Sequence, residues 1–276
     1  MAGFTAHAIP NTATTPANPI TSAIVNVTRV ESERQCGGGE GHNAMTAIYF
    51  QNQWATLYHA DCREVELPKA SVDLLLTDPP YGISYKARAK HDMIAGDDDN
   101  AFVKDALKTA LKSLRVNRHF YVFGPDVVSD LTTCATMELI WDKGRLSAGG
   151  GPGGLASPWS SGHERITFGL YSPYKSHSNV GAGAVRLRRS SVISVPKVSN
   201  GRGTANHPNE KPVELMRVLV EASSQFGETV YDPFAGSGST LVAAALEGRK
   251  SIGVEVDEKY CELIARRLES IEVSYE

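Results

Sequence analysis

What the sequence lacks narrows its possible roles. It has four cysteines, Cys36, Cys62, Cys134 and Cys261, and no two of them form a CxxC pair. That scatter argues against a zinc site or a disulfide framework and predicts reduced thiols packed as small apolar groups. No apolar run approaches the ~20 residues that a membrane-spanning helix needs, so no membrane partner is expected. The first residues lack the basic-then-apolar order of an export signal, which makes a cytoplasmic location the expectation. There is no GxxxxGK[ST] phosphate loop and no GxGxxG, which disfavours ATP and a nicotinamide dinucleotide. Net positive charge is also missing, since 28 Lys and Arg against 31 Asp and Glu leave −3. A hydrophobic fraction of 41% and a charged fraction of 21% place the chain among ordinary soluble globular proteins.

The charge is unevenly spread. Between Trp141 and Arg202 stand nine basic residues, Lys143, Arg145, Arg165, Lys175, Arg186, Arg188, Arg189, Lys197 and Arg202, against Asp142 and Glu164. A local excess of this size suits either a polyanion-binding face or a solvated loop.

Residues 1–44 are rich in Ala, Thr, Pro, Asn and Gly, show no sustained period and end in "CGGGEGHNA". They read as a disordered or loosely attached arm. From Met45 the pattern turns β-like, and "ATLYHAD" and "SVDLLLTDPPY" read as strands. "NAFVKDALKTALKSLRV" has helical periodicity with Asn100 placed to cap it. "RHFYVFG" reads as a strand, "VVSDLTTCATM" as a helix and "ELIWDKG" as a short strand. The glycine-rich stretch that follows Gly144 cannot pack a core and reads as loop. "PNEKPVELMRVLVEASSQ" is a helix with proline near its start, then come strand "ETVYDPF", helix "STLVAAALEG", strand "KSIGVEV" and a closing helix. Alternating strands and helices predict an α/β fold with a mainly parallel, doubly wound sheet.

Two blocks carry chemistry. In "LLLTDPPYG", Leu74 to Gly82, three leucines give a buried strand that two prolines cannot continue. Asp78, a rigid Pro79–Pro80 turn and the Tyr81 ring therefore sit at a strand's carboxyl end, the ligand-binding edge of an open α/β sheet. The second block is "YDPFAGSGSTLVAAALEGRKSIGVEVD". A strand ends at Phe234, Gly236 and Gly238 flank Ser237, and a helix begins near Ser239–Thr240. Glycines there allow a tight turn and close backbone approach to a ligand, and the helix start offers free N–H groups. Glu255 ends the next strand, at a spacing that suits a ribose diol. A compact turn beside the acidic Asp232 suits a nucleoside cofactor that carries an amine and no phosphate, a description that S-adenosylmethionine (SAM) meets.

"DPPY", "DPFAGSGST" and "HPNEKP" together resemble the DNA methyltransferases that methylate N6 of adenine or N4 of cytosine from SAM. The catalytic block precedes the glycine-rich block, which resembles the permuted β subgroup with its Rossmann-like methyltransferase sheet. "IWDK" and "HERI" are similar to that subgroup's connecting motifs, and the likeness covers about residues 58–269. It implies a catalytic half at 45–143, an inserted target-recognition region at 144–202 and a cofactor half at 203–276. By the same resemblance, Asp78 and the Pro79 carbonyl accept hydrogen bonds from the target amine, Pro80 stiffens the turn and Tyr81 stacks on a base flipped out of the duplex. Asp61 and Cys62 would lie near the cofactor's adenine. Phe234, Gly236, Ser237, Gly238, Ser239 and Thr240 would line its methionine and nucleoside portions, with Asp78 and Asp232 close by and Glu255 on the ribose. His207, Lys211 and Pro212 would start the helix that closes the pocket, Lys211 facing the methionine carboxylate. Lys143, Arg145, Arg186, Arg188, Arg189, Lys197 and Arg202 would meet DNA phosphates and base edges.

The first-position aspartate of the tetrapeptide favours N6 of adenine, with N4 of cytosine as the alternative on the same fold. Further off stand an RNA or protein-glutamine methyltransferase and a DNA-binding regulator without catalysis. Double-stranded DNA is the expected partner, and the resemblance also admits a homodimer and a cognate restriction endonuclease. It fits a bacterial, nucleoid-associated protein or a phage-encoded one, with no metal. His163 and Glu164 suit a metal or acid–base pair or, more simply, a structural hydrogen bond that orders the loop. The loop "KARAKHDMIAGDDDN" after the catalytic turn is expected to fold over the flipped base or touch the duplex.

Overall fold

The computed structural model describes residues 28–29, 48–80, 99–125, 127–128, 131, 136–144, 162–172, 189–197 and 210–271. Among these residues lie ten strands in one sheet and four helices. In chain order they are β1 (Thr28–Arg29), β2 (Ile48–Gln51), β3 (Ala55–His59), β4 (Leu74–Thr77), α1 (Asp99–Ser113), β5 (Arg118–Phe123), β6 (Thr136–Asp142), β7 (His163–Tyr171), β8 (Val192–Ser194), α2 (Val213–Ser223), β9 (Thr229–Asp232), α3 (Ser239–Leu246), β10 (Lys250–Glu255) and α4 (Glu258–Glu269).

The sheet runs β1-β2-β3-β10-β9-β4-β5-β7-β6-β8. Its centre, β3-β10-β9-β4-β5, is parallel throughout. The leucines of β4 explain why. Leu74 and Leu76 pack on the side of α2, Leu75 packs on the side of α1, and none is exposed to solvent. A strand buried on both faces needs crossover helices on both faces, which parallel pairing supplies. On the other side, α2 turns Leu215, Met216, Leu219 and Val220 to the sheet, one apolar stripe at helical spacing. The closing helix α4 starts at Asp257, whose side chain accepts the Lys259 N–H at 2.9 Å, and ends with Arg266 and Arg267 in its last turn.

The flanks depart from the sequence-based reading. Strands β7 and β6 add antiparallel to β5, and β1–β2 add antiparallel on the other side. Thr28–Arg29, within the expected arm, pairs with Phe50 and Gln51. The stretch expected as helix through Met137 already belongs to β6 from Thr136. Helix α1 begins at Asp99, one residue before the expected cap.

The chain leaves β4 through α1 to reach β5 on one side, and leaves β9 through α3 to reach β10 on the other. Strands β4 and β9 are neighbours, with Leu74 opposite Val230. Their connections therefore diverge, and a crevice opens between the two carboxyl ends.

Candidate active site

Both sequence blocks end on this crevice. Thr77 is the last residue of β4, and its Oγ1 donates to Asp232 Oδ1 on β9 at 2.7 Å. The Phe234 N–H donates to the same oxygen at 3.1 Å. Asp232 is 3% exposed. Burial pushes its carboxyl up to about 6; hydrogen bonds from Thr77, Thr240 and the Phe234 N–H oppose this, while the charge of Asp78 adds to it.

The turn after β9 takes left-handed backbone at Gly236 (φ +54°) and Gly238 (φ +80°). The Gly236 N–H donates to Glu255 Oε2 at 2.8 Å, and the Asp257 N–H donates to the other oxygen at 2.9 Å. Arg267 of α4 donates to the Ser237 carbonyl at 2.7 Å and pairs with Glu210 at 2.8 Å. It thus fastens the cofactor turn to the segment that carries Lys211. A side chain at Gly236 would enter open space, with the Phe234 carbonyl 3.8 Å away. One at Gly238 would meet Ile264 at 2.8 Å.

A cavity of about 930 Å³ fills the crevice. Of the residues singled out from sequence, it gathers Asp61, Cys62, Asp78, Pro79, Pro80, Lys197, Lys211, Asp232, Phe234, Gly236, Ser237, Ser239, Thr240 and Glu255. Gly238, expected against the cofactor, faces Ile264 in the core. Pro212 is buried at the residue before α2 and lies off the cavity wall. Lys143, expected on the DNA face, is 8% exposed and bonded inward. Arg189 is on the surface, but its guanidinium pairs with Glu221 of α2. Tyr81, Arg145, Arg186, Arg188, Arg202 and His207 lie outside the described residues, as does most of the loop after the catalytic turn.

Lys211, expected on the cofactor's carboxylate, instead meets Asp78. Its Nζ stands 2.6 Å from Asp78 Oδ2 and 3.2 Å from Glu164 Oε2. Glu164 in turn holds Lys143 Nζ at 2.8 Å on its other oxygen. Two carboxylates and two ammonium groups alternate along this line. Burial pushes Asp78 above its ordinary value, with Lys211 opposing and Glu164 adding. Burial would also raise Glu164, but its two lysines outweigh that and hold it below the usual carboxylate range. Burial would lower Lys211, and its two carboxylates hold it high.

Glu164 and Phe102 also line the cavity, and sequence reasoning had not placed either there. "HERI" did mark Glu164, as half of a pair with His163. In β7 these neighbours point to opposite faces, and Glu164's partners are lysines distant in sequence. Phe102 sits edge-on to Phe234 with centroids 6.1 Å apart, beneath the Arg63 guanidinium. Asp61 accepts two side-chain bonds from Arg63, at 3.0 and 2.8 Å. Burial would raise the Asp61 carboxyl, but Arg63 holds it below its usual range. Cys62 is buried, and its thiol is pushed up to about 12 by burial first and then by the charge of Asp61. Among the described residues, no three metal-ligating side chains converge, and no helix is long and apolar enough to cross a membrane.

The cavity suits SAM. Bare backbone at Gly236 lets a ligand approach the turn, and Asp61, Asp78, Asp232 and Glu255 line the wall with carboxylates for a cation and a diol. The volume lies near the upper end for single-ligand pockets, which leaves room for a second ring.

The profile of one protein family, described as DNA methylase, matches residues 136–266. Over that stretch the chain is similar to these DNA methylases. The match takes in β6, β7 and the glycine turn, and it stops short of Asp78. YubD, a methylase candidate of Escherichia coli (strain K12), is 28% identical over 226 residues, which span 77% of this chain and 89% of YubD. The DNA adenine methyltransferase YhdJ of the same organism is 45% identical over 64 residues, 23% of this chain and 22% of YhdJ. The crystal structure of the M1.HpyAVI–SAM complex superposes with a TM-score of 0.59 at 20% identity, covering 78% of this chain and 98% of that one. The PvuII DNA methyltransferase, cytosine-N4-specific, superposes at 0.57 and 17% identity over 80% and 89% of the two chains. These likenesses show the Rossmann-like fold of those methyltransferases, one of them in complex with SAM.

Proposed function

We propose that the protein transfers a methyl group from SAM to N6 of an adenine flipped out of double-stranded DNA, as a methyltransferase of the permuted β subgroup. The carrying observation is the junction of β4 and β9. It sets the Asp78 carboxylate beside the glycine turn, with Thr77 bonded directly to Asp232. Bound SAM supplies an electrophilic methyl group. The chain's part is to present the acceptor amine. Asp78 and the Pro79 carbonyl accept its N–H bonds, which orients the nitrogen lone pair toward the cofactor side of the cavity. Pro79 and Pro80 fix the turn, so these acceptors are set before the base arrives. Lys211 opposes the protonation that burial of Asp78 favours, since an acceptor must be anionic. Tyr81 stacks on the base. Lys197 at the cavity mouth meets a backbone phosphate.

Aspartate at the head of the tetrapeptide favours adenine, and the kinship with YhdJ supports the same base. The deciding experiment incubates the protein with labelled SAM and unmethylated genomic DNA, then digests the DNA and identifies the modified nucleoside. N6-methyladenine is expected. N4-methylcytosine would keep the pocket and change the substrate, and an unmodified digest would refute the proposal.

A further inference from the structure

The line of charges beside Asp78 has more members than an acceptor needs. One lysine would keep a buried carboxylate ionised. Here Lys211 divides its donors between Asp78 and Glu164, and Lys143 occupies the second oxygen of Glu164. Both ammonium groups also lie against rings, Lys211 5.2 Å from the Phe123 centroid and Lys143 5.5 Å from that of Trp141. Trp141 is buried, and its Nε1 donates to the Val195 carbonyl at 2.7 Å, which fixes that wall. The lysines are thus held by packing as well as by charge.

We propose that Glu164 is a positioning residue for methyl transfer: it shares Lys211 with Asp78, and Lys143 sets the strength of that share. This rests on the function proposed above. Asp78 works between two failures. Paired with Lys211 alone, it is a poorer acceptor for an incoming amine. Stripped of Lys211, a half-buried carboxyl beside Glu164 and Asp232 takes up a proton more readily and accepts less well. Glu164 draws Lys211 part of the way off Asp78, and Lys143 limits how far. Lys211 engages Asp78 through Oδ2, so Oδ1 is the atom offered to the amine.

Among the described residues, the charged groups facing Asp78 are Lys211, Glu164 and Asp232. Two substitutions push it in opposite directions. Glu164→Gln removes a negative charge and leaves Lys211 to Asp78, so Asp78 titrates lower. Lys143→Met frees Glu164 to take more of Lys211, so Asp78 titrates higher. The experiment is a carboxyl ¹³C NMR titration of the full-length wild type and both variants, run beside the pH profile of kcat.

The Asp78 midpoint should move by about half a pH unit or more, down in Glu164→Gln and up in Lys143→Met. The acid limb of kcat should follow each. Glu164→Gln should lose about tenfold in kcat with KM for SAM nearly unchanged. A merely structural glutamate would give neither opposed shifts nor this split. If Glu164→Gln does not fold, the upward shift in Lys143→Met decides alone. An active wild type whose variants shift together, or not at all, would overturn the role of Glu164 and leave the function standing. Opposed shifts in a protein that methylates nothing would keep the charge sharing and overturn the assigned reaction.

Discussion

Gly236 and Gly238 stand two residues apart in one turn, yet alanine should injure them differently. Both hold left-handed backbone, which costs a residue with a Cβ about 1 kcal/mol. At Gly236 nothing adds to that, because the new methyl enters the cavity. At Gly238 the methyl would lie 2.8 and 3.1 Å from the two γ-carbons of Ile264, a residue with no solvent exposure. Forcing that contact apart costs a further ~1–3 kcal/mol. Gly238→Ala should therefore lose about 2–4 kcal/mol in urea unfolding and Gly236→Ala about 1. SAM affinity, measured by titration calorimetry, should fall mainly in Gly236→Ala. Ile264→Ala should cost about 2–4 kcal/mol by itself. In the Gly238→Ala background it should cost at least ~1 kcal/mol less, since the new methyl fills part of the gap. Equal losses at the two glycines, or strict additivity of Gly238→Ala with Ile264→Ala, would refute the packing role of Gly238.

The folded-state value of Asp232, about 6, lies above its ordinary 3.8, so its protonated form favours folding. That contribution is full below pH 3.8 and is lost as pH rises through about 6, an interval worth roughly 3 kcal/mol. Asp232→Asn should flatten that part of a denaturation-versus-pH curve; an unchanged slope would clear Asp232. Lys197→Ala should lower the slope of DNA affinity against salt by about one ion, whereas Arg189→Ala, removing a side chain already paired with Glu221, should leave it unchanged. Arg189→Ala should also cost less than ~1 kcal/mol of stability, as an exposed pair does. Cys62 in the native protein should react with iodoacetamide at pH 8 at least ~10-fold more slowly than in urea, and more slowly still with SAM bound.

The parallel centre was legible because its signals are local. Three leucines before two prolines, and a strand before a glycine turn, are patterns of a few adjacent residues, and they located Asp78 and Gly236. The antiparallel flank was legible only in part: "ELIWDKG" reads as the strand that β6 is, but β7 does not show itself. In β7 the residues from His163 to Arg165 alternate between exposed and half-buried, and Ile166–Thr167 are both buried, so no clean period marks the strand. The glycine pair showed the same limit. Sequence assigned both to the cofactor, but only the packing of α4 shows that Gly238 serves Ile264. The ion-pair partners of Lys143 and Lys211 were not legible for one reason: a lysine's partner is set by tertiary approach. Glu164 lies 21 residues from one and 47 from the other, so no window of sequence contains the relay.

Asp142, the last residue of β6, is the direct partner of His163, the first residue of β7. Everything inserted between them enters and leaves through one doorway in the scaffold. The closure cost of such an insert grows only with the logarithm of its length, about 0.6 kcal/mol per doubling. An insert can thus be lengthened, shortened or exchanged at this point with little penalty to the strands beneath. Glu164 and Lys143, however, flank the doorway. On the function proposed above, each exchange would be felt through Lys211 by the Asp78 carboxylate that receives the base. New sequence preferences would then come with changes in rate already attached.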